Sequence, residues 1–118
     1  MSDLPEPVDH ECLICFLYRM ARDFDCDCTL RFLIHYRSTA APRATALERK
    51  INLLGAYCDC EVLMNAVRPA GAATARLLDD AADIVCHGVR RGCIQPCDQW
   101  LMRRGVQWGG GQFRRRSA

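Results

Sequence analysis

Apolar residues recur along this chain mostly at helical spacing. Leu13, Phe16, Leu17, Met20 and Phe24 share one stripe of a first predicted helix, with Asp9 as its candidate N-cap. The run from Asp23 to Cys28 alternates acids with cysteines and breaks that helix. A shorter helix opens at Thr29, with Leu30, Leu33 and Ile34 as core positions, and Ser38 to Arg43 reads as a loop around Pro42. Thr45 and Glu48 have capping-box spacing before a third helix, which carries Leu47, Ile51 and Leu54 and closes at Gly55. A fourth helix, from Glu61 to Val67, follows a tight segment, with Asp59 as N-cap and Pro69 beyond its end. The clearest helical pattern spans 72–87, with Leu77, Leu78, Ala81, Ile84 and Val85 inward and Gly88 as its stop. Pro96 sits at a first-turn position of a last short helix through Trp100 and Leu101. No alternation of period two and no glycine-rich hairpin turn stands out. The expected fold is therefore mainly α: a small domain of about five to six short helices whose cysteine-bearing loops are stapled by zinc.

Composition sets the frame around these elements. A chain of 118 residues suits one domain, and so small a core gains from a cross-link. We expect that domain to be 1–104, with 105–118, rich in glycine and arginine, a flexible basic C-terminal tail. No run of about 18 apolar residues is present, so no membrane association is expected. The start, Met1 to Pro7, is acidic and polar and lacks the basic and apolar regions of a signal peptide. A cytoplasmic location follows as an expectation. The net charge of +2 hides an asymmetry: residues 1–30 hold seven acids and two arginines, whereas 86–118 hold seven arginines and one acid, Asp98. Such a chain can steer an acidic partner to its C-terminal end, although +2 is far below a dedicated nucleic-acid binder.

Nine cysteines carry the chemistry. In a reducing compartment, clustered thiols point to metal or redox chemistry rather than a disulfide scaffold. Cys26 and Cys28, and again Cys58 and Cys60, each flank an aspartate and precede a predicted helix. Two close pairs from two distant loops can supply the four thiolates of a tetrahedral zinc site and tie the loops together. The helix N-termini favour the thiolate form. Alternatives stay open: buried cysteine as a small hydrophobe, a disulfide, or a redox pair. Cys12 and Cys15 have Cys-x-x-Cys spacing, and with Cys93 and Cys97 they could form a second metal site. Because they fall beside the apolar stripe of the first helix, we read them as core residues. His35 and His87 read as helix-surface residues.

Residues Gly55 to Val67, Gly-Ala-Tyr-Cys-Asp-Cys-Glu-Val-Leu-Met-Asn-Ala-Val, resemble the Gly-Gly-Tyr-Cys-Asp-Cys-Glu-Val-Leu-x-Asn-Val signature of a bacterial family of short proteins, domain of unknown function 2695. The family's upstream Cys-Asp-His-Thr-Leu-Arg is similar to Cys26, Asp27, Cys28, Thr29, Leu30, Arg31. The resemblance covers 26–67. Cys28 stands where that pattern has histidine, and since both are zinc ligands the exchange supports metal binding while opposing a catalytic imidazole there. The resemblance implies no activity.

Three function classes remain. A closed four-cysteine site is structural, which suits a non-catalytic adapter or regulator with a protein partner. Nucleic acid is the other partner considered, through Arg103, Arg104, Arg114, Arg115 and Arg116, with Trp100 and Trp108 nearby. A thiol-redox or metal-handling protein would also use nine thiols. A zinc enzyme needs an open coordination position and an acid or base, for which Glu61 is the candidate, and no catalytic triad, phosphate loop or cofactor fingerprint accompanies it.

Overall fold

The computed structural model describes residues 4–25, 27–80 and 82–102. The tail 105–118, Arg103, Arg104, Trp108, Ala81 and Cys26 lie outside the described residues.

Helix α1 (Leu13–Asp23) buries Leu13, Ile14, Cys15, Phe16, Leu17 and Met20. The apolar stripe is as expected, but the N-cap is Cys12 rather than Asp9. Cys12 takes an extended backbone and its Sγ accepts the Cys15 N–H at 3.3 Å, while Asp9 is drawn away by Arg91 at 2.9 Å. Phe24 ends the helix, donating its N–H to Met20 O, and its own exposed ring packs against that of the buried Phe32.

Helix α2 (Arg31–Ala40) buries Phe32, Leu33 and Tyr36, whereas Ile34 faces out. No side chain of its own caps it. Asp59, distant in sequence, does so: Oδ2 accepts from Phe32 N–H and Oδ1 from Leu33 N–H, both at 3.0 Å. This places the two Cys-Asp-Cys loops side by side, and the Asp59 N–H also donates to Thr29 O at 2.9 Å.

Helix α3 (Leu47–Leu53) buries Leu47 and Ile51, with Leu54 just beyond. The expected capping box is absent, because Ala46 is the N-cap and Glu48 pairs instead with Arg37 at 3.0 Å. Gly55 takes φ +88°, the left-handed position that glycine fills at a helix C-terminus. One turn, α4 (Asp59–Glu61), then passes into a π-helical stretch, Val62–Ala66, which buries Val62 and Ala66. Val67 leaves the helix to open β1 (Val67–Pro69).

Two expectations are corrected here. The helix predicted over 72–87 forms only as α5 (Ala72–Asp79). Asp79 and Asp80 oppose the helix dipole at that end, and Cys86 is drawn towards Cys12. Ile84 is half-buried and Val85 exposed. The helix expected after Pro96 is instead β2 (Trp100–Met102), paired antiparallel with β1 so that Val67 faces Met102 and Pro69 faces Trp100. With only three residues per strand, alternation could not register as a pattern. The fold is mainly helical with this small sheet. The packed core runs from α1, α2 and α3 through Val62, Ala66 and Val67 to Trp100 and Met102. Between α5 and β2, residues 82–99 form a strap without helix or strand.

Candidate metal centre

The strap returns two cysteines to the start of α1. The Sγ atoms of Cys12, Cys15, Cys86 and Cys97 lie within 4.8 Å of one another, close enough to hold a metal ion. A tetrahedral ion with metal–sulfur bonds of ~2.3 Å spaces its sulfurs ~3.8 Å apart. Cys15 and Cys97 stand at 3.8 Å. A disulfide would bring them to about 2.05 Å. In a multi-iron cluster the ligands are shared among different irons and spread further, so this spacing fits a single ion.

Local structure explains the convergence. Cys12 caps α1 and Cys15 occupies its first turn, so the dipole of an eleven-residue helix points into the cluster. Cys86 is fixed by Gly88, whose φ of +92° turns its N–H back onto the Cys86 sulfur at 3.2 Å. Cys97 lies just ahead of β2, so strand pairing sets its height.

Every sulfur receives an N–H. Cys12 Sγ accepts from Cys15 N–H at 3.3 Å and Cys86 Sγ from Cys12 N–H at 3.2 Å, as well as from Gly88. Cys97 Sγ accepts from Gln99 Nε2–H at 3.5 Å, and Cys15 Sγ from the indole Nε1–H of Trp100 at 3.3 Å. Four thiolates around a divalent ion leave two negative charges, and such donors spread them. Cys12, Cys15 and Cys97 are buried and Cys86 is half-buried, so water has little access.

As bare thiols the four compete for charge. Hydrogen bonds from Cys12 and then Cys15 pull Cys86 down to about 6. The contacts with Cys12, Cys15 and Cys86 also carry Cys97 far below the usual thiol range. Cys15 is pushed up, first by Cys12, then by Cys86 and Cys97. For Cys12 the contact with Cys15 pulls down, but Cys86, Cys97 and burial outweigh it and raise it. A divalent cation held by these four sulfurs would remove this competition, with loss of the remaining protons.

The core reading of Cys12 and Cys15 is thus half the story: both are buried, but among thiols. The sequence suggested Cys93 as their companion. Cys86 takes that place, and the Cys93 thiol turns towards Gln95 O. Trp100, expected near a partner surface, is buried instead, and its N–H to sulfur had no signal in the sequence. His87, adjacent to Cys86, pairs with Asp98, adjacent to Cys97, and clasps the strap from outside. That contact with Asp98 raises the His87 pKa.

Of the Cys-Asp-Cys residues, Cys28 is exposed at φ +68°, and Cys58 and Cys60 are half-buried at the start of α4. Asp27 accepts from Thr29 N–H and hydroxyl, which shapes the first loop. Asp59 is buried, and desolvation raises its carboxyl pKa against the pull of the Phe32 and Leu33 N–H groups. Glu61 reaches back to the Tyr57 N–H at 2.7 Å and so reinforces the helix start. No helix among the described residues is long and apolar enough to cross a membrane.

Residues 13–65, just under half of the chain, match the family described as Protein of unknown function (DUF2695). No curated protein matches the chain. No solved structure matches it either. The matched segment contains Cys15 and both Cys-Asp-Cys loops, while Cys12, Cys86 and Cys97 fall outside it.

Proposed function

We propose that this protein is a zinc-stapled helical adapter in the cytoplasm, in which Cys12, Cys15, Cys86 and Cys97 hold one structural zinc and a protein partner is bound without catalysis. The observation that carries the reading is four sulfurs within 4.8 Å, each met by an N–H. Sulfur-only tetrahedral sites suit zinc, and four protein ligands leave no position for a reacting water. Zinc would supply only charge and a cross-link here. The chain's own residues fix the ligands, spread the charge and exclude water.

A second zinc at Cys26, Cys28, Cys58 and Cys60 belongs to the same proposal. It is supported by the Asp59-to-Thr29 bond and the Asp59 cap on α2, which hold the two loops together. A nucleic-acid partner contacting Arg103, Arg104, Arg114, Arg115 and Arg116 is the alternative to a protein.

The test is metal content by native and denaturing mass spectrometry, with a free-thiol count. Two zincs per chain, with Cys93 alone reacting quickly, is the expected result. Cys97→Ser should remove one zinc and Cys60→Ser the other. A metal-free chain with paired cysteines would overturn the reading and favour thiol-redox or metal-handling chemistry.

A further inference from the structure

Beside the metal centre lies a half-open cleft of about 620 Å³. Three segments wall it: the chain before α1 (Val8–Glu11), the end of α2 with its following turn (Thr39–Arg43), and the strap turn (Val89–Gly92). Its volume falls within the range of small-molecule sites.

The charges in the cleft do not cancel. Glu11 is consumed by Arg19, whose guanidinium donates to both carboxylate oxygens at 2.8 and 3.1 Å. Asp9 pairs with Arg91 at 2.9 Å. Arg43 and Arg90 remain, both exposed, and neither forms an ion pair among the described residues. Between the charged groups the wall is mixed, with Ala40, Pro42 and Val89 apolar and Thr39 polar.

One end is clamped. His10 holds the left-handed region at φ +66°, which a residue with a side chain rarely occupies. In that conformation its carbonyl accepts the Val89 N–H at 2.9 Å, and Nδ1, carrying the proton, donates to Val89 O at 3.0 Å. These two hydrogen bonds to Val89 position the neighbouring Arg90 on the cleft wall. Glu11 adjoins Cys12, and Val89 follows Cys86 closely, so two walls are tethered to the sulfur cluster.

We propose that this cleft binds a small organic anion, its carboxylate or phosphate held by Arg43 and Arg90 and its body lying over Ala40 and Pro42. Guanidinium forks suit both anions. The proposal rests on the metal reading in one respect: the bound ion holds the Arg90 wall in place.

The experiment uses the full chain with its metal content measured on the same sample. Phenyl phosphate, benzoate and neutral benzyl alcohol are titrated while amide chemical shifts are followed. Saturable shifts at His10, Thr39–Ala41 and Val89–Gly92 are expected with at least one anion and none with the alcohol. The tighter of the two anions identifies the headgroup. Arg43→Gln and Arg90→Gln should each weaken binding about tenfold or more with metal content unchanged. Non-saturating shifts with both anions, equal binding of benzyl alcohol, or undiminished binding by the double variant would overturn the proposal. Anion binding that survives complete chelation would remove the metal's part and leave the arginine site standing.

Discussion

Removing the metal should release the strap and leave the helical body standing. The perturbation is chelation of freshly purified protein, and its size follows from what else holds residues 82–99. Ordering about 18 backbone residues costs roughly 18 kcal/mol at the low end of the range. Against this stand about ten hydrogen bonds, among them Val89 N–H to His10 O, Tyr18 hydroxyl to Ala82 O and Gln99 Nε2–H to Val85 O. At about 1 kcal/mol each they contribute roughly 10 kcal/mol. Ile84, Val89 and Ile94 are only partly buried, and with Cys97 they add about 5 kcal/mol. The exposed pairs Arg91–Asp9, His87–Asp98 and Arg22–Asp83 add little. A deficit of about 3 kcal/mol remains, enough to favour the open strap, and structural zinc binding, at about 10–16 kcal/mol, reverses it. Hydrogen exchange read by mass spectrometry is the assay. After chelation, amides from Asp83 to Gln99 should exchange as if unprotected, while those of Phe16, Leu17, Leu33 and Tyr36 stay slow. Full protection of the strap in protein shown to be metal-free would refute the reasoning. So would loss of protection in α1 and α2 in the same step, because the body would then depend on the ion as much as the strap does.

Other perturbations read single contacts. Asp59→Ala should lower stability by about 2–4 kcal/mol in urea melts, since it strands the Phe32 and Leu33 N–H groups in a buried site. Asp59→Asn should fall between it and the parent, keeping one acceptor. Trp100→Phe preserves most of the buried ring and deletes the N–H to Cys15 Sγ, so zinc affinity in competition with a chromophoric chelator should drop about tenfold. Gly88→Ala has room for its Cβ, the nearest atom being His10 O at 3.9 Å, but must hold φ +92°. It should cost about 1–2 kcal/mol and loosen Cys86, read as faster zinc exchange.

The helical body was legible because its signals are local and repeated. Leu13, Phe16, Leu17 and Met20 lie on one face of a single helix, and Leu47, Ile51 and Leu54 with Gly55 likewise need only neighbours in sequence to declare themselves. The caps were not legible. Asp9, Thr29 and Thr45 each had a cap's chemistry, yet the α1 cap is a cysteine, the α2 cap is the remote Asp59, and no side chain caps α3. A long-range partner of that kind leaves no periodic trace. The cluster of Cys12, Cys15, Cys86 and Cys97 was missed for the same reason. Local spacing could nominate Cys12 with Cys15, but choosing Cys86 over Cys93 depends on Gly88 turning the strap and on β2 pairing with β1.

These two tiers of information correspond to two ways of closing the fold. Within the matched segment 13–65, the loops at Cys28 and Cys58 are already joined by protein–protein bonds, through the Asp59 cap and the Asp59-to-Thr29 link. An ion there would reinforce a contact that the backbone makes without it. The strap is different, because its own bonds do not offset the cost of ordering it and two of the four clustered sulfurs are its own. An ion at that centre would be the principal tie rather than a reinforcement. The two centres should therefore differ in what they control. Emptying the Cys28 and Cys58 side should lower stability in proportion to lost affinity and leave the cleft walls in place. Emptying the Cys86 and Cys97 side should free the Arg90 wall first, so any partner that reads that wall senses metal supply before the helical body does.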